Sequence, residues 1–207
     1  LPPGMWQRSL GGTKNDSSNE ICQTYDGGFI ILGHTLSNDI DVSGNHGNGD
    51  AWIAKVNPNG WLSWQNCIGG SNLDYGRSIK EASDGNFILC GNTFSSSINS
   101  NDFEQEAVNY GDAWIAKINK TGGIIWKKIL GGNNGDIFRS IIQTVDGGFA
   151  VLGNTSSSDG DIAFNNGGSD LWIVKLDETG EIEWQECLGG SGDEYGNSIH
   201  QTADGGY

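Results

Sequence analysis

The chain has 207 residues, with 26 acidic and 11 basic side chains and a formal net charge of −15. A surface of this charge repels phosphate backbones and anionic lipid headgroups, which argues against nucleic acid or membranes as partners. The longest apolar runs are also too short to cross a bilayer, so we expect no membrane insertion. Metal cations and basic protein surfaces are compatible partners for a chain of this charge.

One pattern recurs along the chain at a nearly fixed period. Trp6, Trp64, Trp126 and Trp184 are spaced by 58, 62 and 58 residues, and each is followed four residues later by an aliphatic residue and two glycines. Such fixed-period similarity predicts a repeat architecture, in which no unit can bury its apolar faces alone.

Each unit reads as four strands in chain order. In the first unit, a short strand is expected before the turn at 26–28. In Phe29–Gly33, the odd-numbered and the even-numbered positions are both apolar, as in a strand covered on both faces. A long polar loop follows, and Trp52–Lys55 forms the third strand. The segment Asn57–Gly60 has the residues of a hairpin turn, and the fourth strand carries Trp64.

These units predict an all-β fold, a partial β-propeller with four-stranded antiparallel meander blades of about 58–62 residues. The tryptophans would supply much of the area between blades. We divide the chain into the last strand of a preceding blade (1–10), three blades (11–68, 69–130 and 131–188) and the start of a further blade (189–207). Because propellers need about four to eight blades, we expect either a fragment of a larger ring or completion by another polypeptide.

The long loop of the first unit is a candidate calcium site. Asp39, Asp41, Ser43, Asn45 and Asp50 have the spacing of ligands in an EF-hand-type loop, where several oxygens converge on a hard cation. The third unit keeps the pattern in part, with Asp159, Asp161, Asn165 and Asp170. Asp and Asn are also ordinary turn formers, so a plain structural loop is the alternative.

Positions at which the units differ are candidates for ligand binding. The second unit has an acidic insertion, and three aromatic residues lie in loops or turns, where they could form a sugar-binding platform. The candidates are Trp61, Tyr75, Tyr195, Asp102, Glu104 and Glu106. The alternative is that these aromatic side chains cover hydrophobic edges.

Two other repeated features predict structural roles. The Asp-Gly-Gly turns, such as that at Asp26, would close hairpins because the carboxylate accepts backbone N–H groups. Lys55, Lys117 and Lys175 would pack their stems between sheets and pair their ammonium groups. The chain has no nucleophile elbow, P-loop or dinucleotide fingerprint, and we predict that it is not an enzyme.

Several of these motifs are shared with a known group of repeats. The Leu-Gly-Gly triplets, the runs Gln23–Phe29 and Gln143–Phe149, and the Gly-x-Thr triplets resemble β-propeller-type repeats of large secreted Bacteroidetes surface proteins. Many such proteins carry a C-terminal type IX sorting domain. The resemblance covers essentially the whole chain. It implies secretion and an extracellular or cell-surface location.

The leading functional expectation is a non-catalytic scaffold or adhesion module, with calcium as a candidate stabilising ion. Its partners would be another protein or an extracellular polysaccharide, together with the remaining blades of the same parent protein. Two alternatives stay open. One is a carbohydrate-binding domain or a glycosidase-type propeller fragment. The other is a subunit of a surface filament that is completed by strand addition.

Overall fold

A computed structural model of the protein describes residues 5–95 and 110–207, and within these ranges the regular structure consists of β-strands. The first sheet contains β1 (Asp16–Gln23), β2 (Phe29–Thr35), β3 (Asp50–Val56) and β4 (Leu62–Ile68). The second sheet contains β5 (Asp74–Glu81), β6 (Phe87–Thr93), β7 (Asp112–Ile118) and β8 (Ile124–Leu130). The third sheet contains β9 (Asp136–Gln143), β10 (Phe149–Thr155), β11 (Asp170–Leu176) and β12 (Ile182–Leu188).

Each sheet is an antiparallel meander, with its strands hydrogen-bonded in chain order. The predicted fold class, all-β with four-stranded meander blades in a partial propeller-like arrangement, is confirmed. In the described parts of the chain, no helix is long and apolar enough to serve as a membrane span.

The Asp-Gly-Gly turns close the first hairpin of the units as predicted. Asp26 Oδ1 accepts the N–H of Gly28 at 2.9 Å and the hydroxyl of Thr24 at 2.6 Å, while Gly27 adopts a φ of 80°. The Thr24 hydroxyl, followed by the Lys55 ammonium, lowers the pKa of Asp26 to about 2. The same pair of turn bonds recurs at Asp146 and Asp204.

The repeated lysines also occupy their predicted places. Their side chains are at most 12% exposed, and each ammonium group lies within 3.0 Å of a turn carboxylate. The pairs are Lys55–Asp26, Lys117–Asp84 and Lys175–Asp146. Each pair ties the third strand of a sheet to the turn between its first two strands.

The first strand of every sheet contains a bulge. The extra residues, which have no partner on the second strand, are Asn19, Arg77 and Arg139. Opposite each bulge is the glycine of a Gly-x-Thr triplet. A side chain at Gly153 would begin 1.7 Å from the Ile137 carbonyl oxygen, so the bulged strand can approach only a glycine.

Trp114 and Trp172 lie in core clusters shared by two sheets, whereas Trp52 packs with Leu10 of the N-terminal segment. Trp52, Trp114 and Trp172 are buried, and Trp172 stacks on Phe138 with ring centroids 4.7 Å apart. A second series pairs a tryptophan with an aromatic ring of the next unit. Trp64, Trp126 and Trp184 come from the fourth strands, and Trp6 comes from the segment before the first sheet. The pairs are Trp6–Phe29, Trp64–Phe87, Trp126–Phe149 and Trp184–Tyr207. The predicted role of tryptophan between blades is confirmed.

The end segments, residues 5–10 and 189–207, form no strand in the structure but pack on the outer sheets. Trp6 donates its indole N–H to the Pro58 carbonyl oxygen at 3.0 Å. Ile199 is buried against Ala150 and Leu152 of β10. Their assignment to a preceding and a following blade stays a prediction.

Candidate functional site

The first strands β1, β5 and β9 lie next to one another, each at the same edge of its sheet. Backbone groups join them across the gaps. The N–H of Ile141 donates to the Ser78 hydroxyl at 3.3 Å, and the N–H of Ile199 donates to the Ser140 hydroxyl at the same distance. At the first junction, the N–H of Ile79 donates to Glu20 Oε2 at 2.5 Å. These bonds hold the three strands and residues 197–200 around one concave surface.

A pocket of about 300 Å³ lies on this surface, and we call it the inner-strand pocket. The polar side chains that border it are Asn19, Glu20, Arg77, Ser78, Lys80, Arg139, Ser140, Asn197, Ser198 and His200. All of them come from the first strands of the three sheets or from the segment that follows the third sheet. The pocket therefore depends on how neighbouring sheets are placed.

The bulges present two arginines to this pocket. Arg77 donates its Nε–H to Asn92 Oδ1 at 3.2 Å, and Arg139 makes the same bond to Asn154 at 3.2 Å. The Arg77 guanidinium also lies 5.0 Å from the centroid of the Tyr75 ring. Each arginine is thus held through one edge of its guanidinium fork.

The pocket carries an excess of positive charge in a strongly acidic chain. Lys80 and Glu20 form an ion pair, so their charges offset each other. Within residues 5–95 and 110–207, neither Arg77 nor Arg139 lies within ion-pair distance of a carboxylate. Burial, followed by the nearby Arg139 charge, lowers the pKa of Arg77. Because both guanidinium groups border one pocket, their like charges oppose each other.

This pocket was not predicted from the sequence. The available signal was the triplet Arg-Ser-Ile, which occurs at Arg77–Ile79 and Arg139–Ile141. Simple strand alternation places the arginine and the following serine on opposite faces. The bulge changes that alternation, and both residues border the pocket.

In the candidate calcium loop of the first unit, the acidic groups bind backbone groups of the preceding turn. Asp39 accepts the N–H of Thr13 at 2.8 Å, and Asp41 accepts the N–H of Gly11 at 3.3 Å. The hydrogen bond from the Thr13 hydroxyl contributes most to lowering the pKa of Asp39. These carboxylates attach the loop to the Gly-Gly turn.

The other residues of that loop contact different parts of the first unit. Ser43 accepts a hydrogen bond from Gln65 at 2.7 Å, and Asn45 donates to the Ser37 carbonyl oxygen at 3.1 Å. Asp50 accepts the N–H of His46 at 3.1 Å. The five predicted ligands are therefore held by separate hydrogen bonds.

The third unit repeats this arrangement. Asp159 accepts the N–H of Asn133 at 2.8 Å, and Asp161 accepts the N–H of Gly131 at 3.0 Å. The remaining predicted ligands also have local partners: Asn165 donates to the Thr155 carbonyl oxygen, and Asp170 accepts the N–H of Asn166. In the described residues, no three His, Cys, Asp or Glu side chains group to hold a metal. Calcium binding stays a prediction.

Carboxylates also pair at the sheet junctions, and this pairing was not recognised from the sequence. Asp50 and Asp74 both approach Gly69, where an added Cβ would lie 2.5 Å from Asp50 Oδ1 and 2.7 Å from Asp74 Oδ2. Asp74 also accepts hydrogen bonds from the Thr93 and Ser95 hydroxyls. Burial raises the pKa of Asp74 to about 6. This pairing explains why the first glycine of the Gly-Gly motif has no side chain.

The three aromatic candidates have different surroundings, and a sugar-binding platform stays a prediction. Trp61 is 62% exposed, with the Arg8 guanidinium 4.8 Å from its ring centroid. Tyr75 stacks on His34 at 4.5 Å, whereas Tyr195 is 61% exposed. The acidic candidates Asp102, Glu104 and Glu106 lie outside the described residues.

Comparison with known proteins gives a likeness of fold. No protein-family model and no curated protein matches the chain. Among solved structures, it is similar to a protein of unknown function from Bacteroides caccae, described as a crystal structure at 1.35 Å resolution. The TM-score is 0.52 at 13% sequence identity. The match covers 97% of this chain and 54% of that protein, so the chain spans about half of its length.

Proposed function

We propose that the chain is a non-catalytic, propeller-type binding scaffold. The observation that carries this proposal is that polar side chains repeated in every unit make different contacts from those at positions that differ between units. Those repeated in every unit are engaged in holding neighbouring strands of a sheet together, as in the bonds of Asp136 to the Thr155 and Ser157 hydroxyls. Groups at positions that differ between units, such as Arg139 and the exposed Trp61, are available for contacts with a ligand.

The proposed location is outside the cell or on its surface. The repeat motifs resemble those of secreted Bacteroidetes surface proteins, and the similar solved structure also comes from a Bacteroides species. Export through a type IX route and a role in adhesion are parts of the proposal. Its partners would be another extracellular protein or a polysaccharide, and further blades of the same parent protein would extend the array.

A binding panel tests the scaffold directly. The purified chain would be immobilised and exposed to extracellular proteins and polysaccharides, beside an unrelated protein of similar negative charge. We expect saturable binding to at least one partner that the charge-matched control does not bind. Hydrolysis of a polysaccharide in the panel, or the same binding profile for the control protein, would contradict the proposal.

Carbohydrate binding is the second candidate, and one groove favours it. Tyr110 and Tyr195 are both exposed and border the same groove as Arg139 and Asn154. Two aromatic rings beside hydrogen-bond donors suit the stacking and polar contacts that a sugar ring requires. On a glycan array, Tyr195→Ala should lose any signal formed in this groove. Tyr25→Ala, which alters an exposed tyrosine elsewhere, should keep it.

A further inference from the structure

Resting on the proposed function as a binding scaffold, we propose that Arg77 and Arg139 form an oxyanion-binding site in the inner-strand pocket. The ligand group would be a carboxylate or a tetrahedral oxyanion carried by a small molecule or a single sugar residue. The repeated Arg-Ser-Ile triplet does not by itself indicate this site, because the pocket forms only where adjacent sheets meet.

The two arginines are held on rigid elements. Both occupy the extra position of a bulge, on β5 and on β9, and both anchor Nε to an asparagine of the neighbouring strand. The anchor orients the guanidinium plane and leaves the terminal nitrogens for another partner. Binding therefore requires little ordering of these side chains, which favours affinity.

The charge balance at the pocket calls for an anion. Lys80 is neutralised by Glu20, whereas Arg77 and Arg139 have no carboxylate partner in the described chain. Both arginines are half-buried, and each experiences the charge of the other in a region partly removed from water. An oxyanion between them would remove this repulsion and add charge-assisted hydrogen bonds.

Neighbouring groups define the ligand more closely. Ser140, Asn197 and His200 also border the pocket and can donate or accept hydrogen bonds. The volume of about 300 Å³ lies at the small end of ligand sites. A compact anionic group, such as the carboxylate of a uronic acid or a sulfate ester, fits these features.

Calorimetric titration of the purified chain tests the site. Sodium sulfate, sodium phosphate and sodium glucuronate would be titrated separately at constant ionic strength, with sodium chloride as the reference anion. We expect saturable binding of at least one of the three. Preference among them would distinguish a carboxylate site from a site for tetrahedral anions.

Matched variants assign the binding to the two arginines. Arg139→Gln and Arg77→Gln should each weaken the affinity by about tenfold or more, because each removes a charged fork. Arg77→Lys keeps the charge but replaces the planar guanidinium fork with a single ammonium group, so it should lose most of the affinity. Lys128→Gln, which breaks an ion pair between β8 and Glu181 in the turn before β12, should leave the affinity unchanged. Circular dichroism and the Tm would verify that each variant is folded.

Two outcomes would overturn the site. One is the absence of saturable binding for all three anions, and the other is an equal loss of affinity in Lys128→Gln and Arg139→Gln. Failure of the proposed scaffold is a separate result, since it appears in the partner panel. A chain that binds partners there but no oxyanion would exclude this site and keep the scaffold.

Discussion

Asp112 and Asp136 approach each other beside Gly131, where the second sheet meets the third. A Cβ added to Gly131 would lie 2.7 Å from Asp112 Oδ1 and 2.8 Å from Asp136 Oδ2. Both aspartates are buried, and Asp112 Oδ1 has no hydrogen-bond partner among the described residues. Burial, followed by the Asp136 charge, raises the pKa of Asp112 to about 7. The equivalent pairs are Asp50–Asp74 and Asp170–Glu194.

The first prediction concerns the pH dependence of stability. Because the pKa of Asp112 is about 7 in the folded state and near 3.8 when exposed, the folded state binds more protons between these values. Its stabilising contribution is present below pH 3.8 and is lost as the pH rises to about 7. Asp74, with a pKa of about 6, acts in the same direction.

Urea denaturation across this range should show a falling free energy of unfolding as the pH increases. Asp112→Asn should remove part of the fall, on the order of 2 kcal/mol. Asp177→Asn, at an exposed turn, is the control and should keep the slope of the parent chain. A free energy that rises steadily from pH 4 to pH 7 would show that the junction carboxyls are not protonated in the fold.

The second prediction concerns the glycines opposite the bulges. Gly153→Ala would place a methyl group 1.7 Å from the Ile137 carbonyl oxygen, and the two strands would have to separate. We expect a loss of about 2–4 kcal/mol in the free energy of unfolding. The matched control is Gly192→Ala, where the nearest atom is 3.8 Å away. Equal losses in the two variants would contradict the close approach of β9 and β10.

The third prediction concerns a buried tryptophan. Trp172→Ala removes a ring that is fully buried and stacked on Phe138, so the free energy of unfolding should fall by about 3–5 kcal/mol. Trp61→Ala removes a ring that is 62% exposed and should change it by about 0.5 kcal/mol or less. Denaturation followed by circular dichroism measures both. A mild effect at Trp172 would mean that this ring is accessible to water.

The fourth prediction concerns the long loop of the third unit. Asp159→Ala removes the acceptor of the Asn133 N–H and should lower stability by about 1 kcal/mol in the presence of a chelator. Glu178→Ala, in an exposed turn, is the control. Calcium can then be added to the same samples. A rise in Tm that requires Asp159 and Asp161 would support calcium binding by this loop. An unchanged Tm would contradict calcium binding.

The sequence predicts the sheets well because their signals are local. Strand apolarity at Phe29–Gly33 and the turn residues at Asp26 and Asn57 act within one hairpin, and repetition reinforces each signal. The paired lysines were also predictable. Lys55 alternates with Trp52 along one strand, and the turn carboxylate lies within reach once the hairpin forms.

The site is less visible in the sequence because it forms between units. Nothing in the spacing of Arg77 and Arg139 shows that a bulge directs both to one pocket, or that Asp112 and Asp136 converge on Gly131. Regular spacing of acidic residues is also compatible with two roles, calcium coordination and acceptance of backbone hydrogen bonds. Asp39 has the spacing of a calcium ligand, but the same carboxylate can accept a backbone N–H, as it does here from Thr13.

Successive sheets pack face to face, and a double-mutant cycle across the second and third sheets is the sharpest check of this packing. Trp126 and Phe149 come from different sheets, with ring centroids 6.1 Å apart. Denaturation of Trp126→Ala, Phe149→Ala and the double variant should give a coupling energy of about 0.5–1.5 kcal/mol. Strictly additive losses, within about 0.3 kcal/mol, would show that the rings do not meet and would contradict the packed array.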